Sequence, residues 1–250
     1  MIFSEVAGSN LLSVKVMNNS QRFLCYFGVI TLLSAYSCTQ SGDPSPDRIG
    51  QAYFPLRPGE VRLYSVVEKV WRNNTITQIR EYQLRETVRE SFINLEGEIS
   101  YALERAKKPA GSNEWTIDSL WTARIDANRA IVVQNNRPVI VLVFPVQENK
   151  TWNANAMNDH EMDQYRMEGI GRSFETVPGI PGSGNTVTVI QSDNDDIVVE
   201  TDLRKEVYGY ETGLIFKDIV NKKFEGFGAN RIIVSGMEYS QHLINYEFLQ

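Results

Sequence analysis

The sequence predicts a mainly β protein, a curved antiparallel sheet or half-barrel with little helix. Apolar and polar residues alternate with a period of two in most segments after residue 53, which is typical of strands with one covered and one wetted face. Turn residues separate these segments, as in "RNN" at 72–74 and "NNRP" at 135–138. The stretch "VIVLVF" at 139–144 is continuously apolar, as in a strand that is covered on both faces.

The first 37 residues have the pattern of a cleaved export signal. The stretch 23–37 carries no charge, but its fifteen residues are too few to cross a bilayer, which takes about 20 apolar residues. Lys15 and Arg22 precede this stretch and small residues end it, as in secretory signals. A start at Met17 gives a more compact signal, so we expect translation to begin there.

The pentapeptide "SAYSC" at 34–38 resembles the bacterial lipobox, in which the signal is cut before the cysteine and a diacylglyceryl group is attached to its sulfur. This resemblance implies a lipidated N-terminus at Cys38, with membrane lipid as a partner. An ordinary cleaved signal and an uncleaved anchor are the alternatives. Residues 38–52 contain Pro44 and Pro46 and predict a flexible tether, which leaves 53–250 as a single β domain.

Alternation also predicts which side chains share a face. Trp115 and Trp121 stand six residues apart in "WTIDSLWTARI", so we expect both on one face of one strand, looking into the concave side of the sheet as ligand-binding residues. By the same rule His242, Tyr246 and Phe248 share a face of the last strand.

The segment 84–97 allows two predictions. Leu84, Val88, Phe92 and Leu95 recur at a spacing of three or four, which indicates a helix that Gly97 could end. The same residues also divide into a strand, a turn and a strand. The sequence leaves both alternatives open.

Two stretches of the chain are similar in outline. "YFPLRPGEVRLY" at 53–64 and "VFPVQENKTWNA" at 143–154 each run from an apolar residue through Phe-Pro and a polar turn to an aromatic residue that opens a strand. This similarity indicates two similar sheet halves within one domain.

Composition excludes several classes of function. The net charge is −6 and the basic residues are scattered, which argues against nucleic acid as a partner. The two cysteines are Cys25 in the signal and Cys38, so the folded part has no disulfide, thiolate ligand or thiol nucleophile. No cofactor is expected.

Candidate metal and phosphate sites are weak. His160 stands beside acidic residues but outside any zinc motif, which favours a solvated loop, and His242 is expected to be a hydrogen-bonded core or rim residue. The acidic run 192–196 lacks the Gly and distal Glu of a calcium loop, and "PGSGNT" at 181–186 lacks the Lys of a phosphate loop. We therefore predict no metal site.

Several motifs together resemble a known family. They are "YFPLRPGEVRLY", "LRETVRESFINLEGEISYALERAK" followed by Trp115, "FPVQENKTW" and "EVYGYETGLIFKDI", in that order. In these features the chain is similar to a family of uncharacterised Bacteroidetes lipoproteins, over nearly all of 53–250. The resemblance implies a curved antiparallel half-barrel like that of envelope lipoprotein carriers, and it implies no functional residues.

These observations favour a non-catalytic lipoprotein of the bacterial cell envelope, placed at the outer membrane, whose curved sheet binds an apolar ligand, a glycan or an envelope protein. The first alternative is a structural subunit of a surface assembly. The second is a hydrolase, although no constellation of nucleophile, base and orienting residue is visible in the sequence.

Overall fold

The computed structural model describes residues 49–175, 178–196 and 199–249. All of them lie in the second of the chain's two units, Pro44–Gln250. The predicted signal, the lipidation site Cys38 and most of the predicted tether therefore lie outside the described residues. Among the described residues, no helix has the length and apolar character needed to cross a membrane.

Twelve antiparallel strands form one sheet, which confirms the prediction of a curved antiparallel β fold with little helix. The strands are β1 (Glu60–Arg72), β2 (Thr75–Ile93), β3 (Ile99–Pro109), β4 (Thr116–Ile125), β5 (Arg129–Gln134), β6 (Arg137–Val143), β7 (Thr151–Asn153), β8 (Gln164–Arg172), β9 (Thr186–Asp196), β10 (Glu200–Gly209), β11 (Gly213–Glu225) and β12 (Ile232–Phe248). Short 3₁₀ turns occur at Gln51–Tyr53 and Gly228–Asn230.

The chain builds this sheet from two meanders, β1–β6 and β7–β12. Neighbours within each meander are consecutive in sequence, and β1 pairs with β12 to join the two. This division agrees with the two similar halves that the sequence indicates, because each Phe-Pro stretch comes shortly before the first strand of one meander.

Two of the hairpins have the tightest possible turns. Asn73 and Asn74 connect β1 to β2, and Asn135 and Asn136 connect β5 to β6, all four with φ between 47° and 61°. Two consecutive left-handed residues make the turn whose twist matches that of paired strands, and asparagine tolerates this conformation well. The asparagine pairs in the sequence therefore fix the register of both hairpins.

The two ends of the sheet, β6 and β7, approach each other and nearly close it into a barrel with one seam. The Ile140 N–H donates to the Ala154 carbonyl at 3.0 Å, and the Trp152 indole N–H donates to the Ile140 carbonyl at 2.9 Å. The Asn158 side chain donates to the Pro138 carbonyl at 2.7 Å. One backbone hydrogen bond and two side-chain hydrogen bonds thus join β6 to the segment around β7, where other neighbouring strands are joined by a regular ladder.

The structure shows the burial of one segment and the secondary structure of another, for both of which the sequence makes a prediction. Residues 139–144 are buried throughout, as predicted. The segment 84–97 is strand and turn: β2 runs to Ile93, and the Gly97 N–H donates to the Asn94 carbonyl at a turn where Gly97 has φ 82°. The helical alternative is wrong because β2 pairs along most of its length with β1 on one side and β3 on the other.

Extra residues in single strands interrupt the alternation. Ile244 has no partner in the β1–β12 ladder, so that His242 pairs with Ser65 whereas Tyr246 pairs with Arg62. Directly paired residues share a face, and Ser65 and Arg62 lie on opposite faces of β1. The prediction that His242 and Tyr246 share a face is therefore wrong, because a bulge reverses the alternation between them.

We predict that the seam bond from Trp152 contributes measurably to stability. Trp152→Phe keeps an aromatic ring but removes the donor to Ile140, which should lower the free energy of unfolding in urea by about 1 kcal/mol more than a matched control. The control is Trp71→Phe, because the Trp71 indole nitrogen is buried without a hydrogen-bond partner. Equal losses in the two variants would show that the seam bond adds nothing.

Candidate ligand-binding cavity

A cavity of about 310 Å³ lies against the inner face of the sheet, which we define as the face that carries the paired residues Tyr64 and Leu84. Strands from both meanders and the segment before β1 line it. The lining residues are Phe54, Pro55, Leu56, Arg62, Glu68, Tyr82, Glu86, Leu103, Arg105, Lys107, Trp121, Val132, Gln134, Val141, Glu206, Tyr208, Gly213, Leu214, Lys217, Ile219, Met237, Tyr239 and Gln241.

One part of the wall is apolar. Leu103 and Trp121 are direct partners in the β3–β4 ladder, and Val132 and Val141 continue this surface on β5 and β6. Trp121 is half-buried and packs against the larger of the two core clusters. The arrangement follows from strand alternation, which sends every second side chain of each strand to the inner face.

The carboxylates of the wall are paired with donors. Glu206 accepts from the Lys217 ammonium at 2.8 Å and from the Tyr208 hydroxyl at 2.5 Å. Glu68 accepts from the Tyr82 hydroxyl at 2.6 Å and forms an ion pair with an arginine of β2. Charge is therefore compensated locally within the cavity, as buried charge requires.

Arg62 is the most deeply buried cation of the wall, with 5% of its side chain exposed. Its Nε donates to the Thr212 carbonyl at 2.7 Å, and its Nη2 donates to the Pro55 carbonyl at 3.0 Å and to the fully buried Glu60 carboxylate at 2.8 Å. Burial alone would lower the pKa of Arg62, but the charges of Glu60 and of its other neighbours raise that pKa above its ordinary value.

Sequence reasoning did not single out this ion pair, although a signal was present. Glu60, Arg62 and Tyr64 occupy alternate positions of "EVRLY", so one face of a predicted strand carries an acid, a base and an aromatic residue. Opposite charges two residues apart on a covered face indicate a buried pair.

Arg105 has a different environment from Arg62. Its guanidinium carbon lies 3.8 Å from the centroid of the Trp121 ring, and its Nε lies 3.5 Å from Oε2 of Glu86. That nitrogen is buried and has no hydrogen-bond partner. Arg105 is thus held by stacking and by charge attraction rather than by a full set of hydrogen bonds.

The two tryptophans that the sequence places together lie on opposite faces. Trp121 lines the cavity, whereas Trp115 packs under Arg85 and Lys108, whose cationic groups lie 4.7 and 5.2 Å from its ring centroid. Arg85 and Lys108 neighbour the inner-face pair Leu84 and Lys107 in sequence, and so they point outward. The shared face predicted for Trp115 and Trp121 is wrong because Asp118 is an extra residue in β4.

The outer face of β10 and β11 is covered by the loop that follows β8. The Phe174 ring lies 5.0 Å from that of Phe216, and Ile180 is buried against the same cluster. Phe216 also contacts His242, at 4.7 Å between ring centroids. His242 is thus a rim residue on the outer face that stays largely exposed, and the partial burial of its ring lowers its pKa below the ordinary value.

The remaining candidate residues are dispersed. His160 lies exposed in the turn after β7. Asp193 forms an ion pair with Arg166 at 3.2 Å, and Asp195 accepts from the Thr201 hydroxyl at 3.1 Å. Among the described residues, no group of three or more His, Cys, Asp or Glu side chains is arranged to hold a metal ion.

Comparison with known proteins gives little. No protein-family model matches the sequence, and no curated protein matches it. Among solved structures the chain is similar to one described as "Lipid-protein interactions in lipovitellin", with 10% identity, a TM-score of 0.34, and coverage of 78% of this chain and 26% of that chain. The chain thus spans about a quarter of that protein's length, and a likeness of this degree carries no argument about function.

We predict that the Glu206–Lys217 pair makes stability depend on pH. Burial alone would raise the pKa of Glu206, but Lys217 and the Tyr208 hydroxyl hold it below its ordinary value of 4.5. A carboxyl whose pKa is lower in the folded state stabilises the fold above its unfolded pKa, and this contribution is lost as the pH falls through the lowered value. Lys217→Met should therefore destabilise the protein more at about pH 7 than at about pH 4.

Urea unfolding at the two pH values measures this difference. Lys205→Met is the control, because Lys205 lies on the outer face over the Phe216 ring. Its effect should be nearly the same at both pH values. A loss for Lys217→Met that does not change with pH would contradict the role of the pair.

Proposed function

We propose that this protein is a lipid-anchored, non-catalytic protein of the bacterial cell envelope, whose inner cavity binds an apolar ligand. The observation that carries the proposal is the cavity itself, which has an apolar wall of strand side chains from β3 to β6. Its volume of about 310 Å³ falls at the lower end of the range of small-molecule sites. Burial of apolar ligand surface there would be favourable by roughly 25 cal/mol per Å².

The chemistry of the wall supports binding without conversion. Among the described residues that line the cavity there is no Ser, Thr, Cys or His side chain to act as a nucleophile or imidazole base. A carboxylate base would need a pKa raised toward neutrality, whereas the pKa of the buried Glu206 is lowered. The paired carboxylates therefore serve the fold and the polarity of the cavity.

The sequence supports attachment to a membrane. The lipobox-like "SAYSC" ends at Cys38, and ten residues separate Cys38 from Ile49. Fully extended, they span at most about 35 Å, which would hold the barrel close to the lipid surface.

Residues 49–52, which the sequence assigned to the tether, bond to the barrel. The Ile49 carbonyl accepts from the Val146 N–H, and the Ala52 carbonyl accepts from the Glu211 N–H. As part of the same proposal, we place the protein at the outer membrane and in the Bacteroidetes lipoprotein family that its motifs resemble.

We predict that Cys38 carries the lipid. Intact mass after detergent extraction should show a diacylated Cys38 as the mature N-terminus, and Cys38→Ala should release the protein from the membrane fraction. Cys25→Ala is the control, because Cys25 lies within the predicted signal and its loss should change neither result. A mature N-terminus without lipid would contradict the anchor.

We predict that the neutral fluorescent probe N-phenylnaphthylamine binds saturably in the cavity. Trp121→Phe should weaken this binding about fivefold, since loss of roughly 1 kcal/mol of contact has that effect on affinity. Trp115→Phe should leave it unchanged, because Trp115 lies on the outer face. Titration of probe emission measures both. Absence of saturable binding to the unmodified protein would refute the proposed function.

A further inference from the structure

We propose that the ligand of the cavity is a single-chain amphiphile with one carboxylate, such as a fatty acid, and that Arg105 binds this carboxylate. The inference rests on the proposed function and adds the chemistry of the ligand. It comes from the one guanidinium of the wall that the protein itself leaves incompletely satisfied.

Arg105 is fixed in position before any ligand arrives. It belongs to β3 and pairs with Ser119 of β4, and 12% of its side chain is exposed. Its guanidinium lies over the Trp121 ring at 3.8 Å from the centroid. Stacking on an aromatic face holds the plane of the guanidinium and leaves the N–H groups at its edge available for hydrogen bonds.

Part of the hydrogen-bonding capacity of Arg105 is not used by the protein. Its Nε is buried without a partner, and the nearest carboxylate oxygen, on Glu86, lies 3.5 Å away. Glu86 also faces Arg62 at 3.4 Å, so this one carboxylate is divided between two guanidinium groups. A buried donor without an acceptor is unfavourable, and a ligand oxygen would relieve this cost.

The other cations of the wall have close partners of their own. Arg62 has Glu60 and two backbone carbonyls, Lys107 has Asp118 at 2.9 Å, and Lys217 has Glu206 at 2.8 Å. Among the described residues that line the cavity, Arg105 is thus the cation with a buried N–H group that lacks a hydrogen-bond partner.

The surrounding charges favour a single negative charge on the ligand. Among the described residues, four cations and three carboxylates line the cavity, which leaves one positive charge in excess; a monoanion neutralises it, whereas a dianion such as a phosphate monoester would exceed it. A carboxylate offers two oxygens that match the fork of a guanidinium. Leu103 and Val132 lie in the same wall and supply the apolar surface for the alkyl chain.

The test compares two ligands that differ only in the head group. Decanoate and decan-1-ol compete with N-phenylnaphthylamine for the lipidated mature protein in nanodiscs, with empty nanodiscs subtracted. We expect decanoate to displace the probe at a concentration about tenfold lower than the alcohol, as a charge-assisted hydrogen bond implies. In Arg105→Gln this ratio should fall to near one.

Arg85→Gln is the matched control. Arg85 also stacks on a tryptophan, Trp115, but on the outer face, so its loss should leave the ratio at the value of the unmodified protein. Glu86→Gln provides a second variant that does not depend on the folding of Arg105→Gln. It frees Arg105 from its shared partner and should increase the preference for decanoate.

Three results would overturn the inference. Equal displacement of the probe by decanoate and decan-1-ol would show that the cavity does not recognise the carboxylate, and it would not contradict the proposed function. Stronger displacement by decyl phosphate than by decanoate would show that the head group is a phosphate. Absence of saturable probe binding would refute the proposed function and this inference together.

Discussion

The buried guanidinium of Arg62 holds together parts of the chain that are far apart in sequence. A cation with almost no access to water costs several kcal/mol unless its hydrogen bonds are satisfied. Carbonyls from the segment before β1 and from the β10–β11 turn, with the Glu60 carboxylate, supply those bonds. Gly213 makes the close approach possible, since a Cβ there would lie 3.1 Å from the guanidinium and φ is +81°. Phe54 and Leu56, which line the cavity, flank Pro55, whose carbonyl accepts one of these bonds.

Much of the fold could be predicted from the sequence because its signals are local. Alternation gives strands, "VIVLVF" gives a buried strand, and the asparagine pairs give tight hairpins. Which face a side chain occupies could be predicted only as far as the next bulge. Trp115 and Trp121 flank the extra residue Asp118, and an extra residue depends on how two strands twist against each other. The residue pattern of one strand therefore does not predict where a bulge will form.

The candidate site was less accessible to sequence reasoning for a related reason. Trp121 could be chosen because an aromatic residue at an alternating position is visible in one strand. Arg105 could not be chosen, because whether its hydrogen bonds are satisfied depends on distances to side chains on other strands. Glu86 stands beside it from β2, and Arg62 of β1 competes for the same carboxylate. Satisfaction of a buried polar group is a property of the assembled sheet.

The pairing of β1 with β12 also bears on when the protein can fold. Glu60 opens β1 and pairs with Phe248 of β12, and the ladder continues to Arg72 and Ser235. During synthesis, β1 has no partner on that side until β12 has been made. Contacts so distant in sequence are slow to form, because a long loop must close before they become favourable. The hairpins within each meander need only neighbouring strands, whereas the two meanders can join around a common interior only once β12 is available to β1.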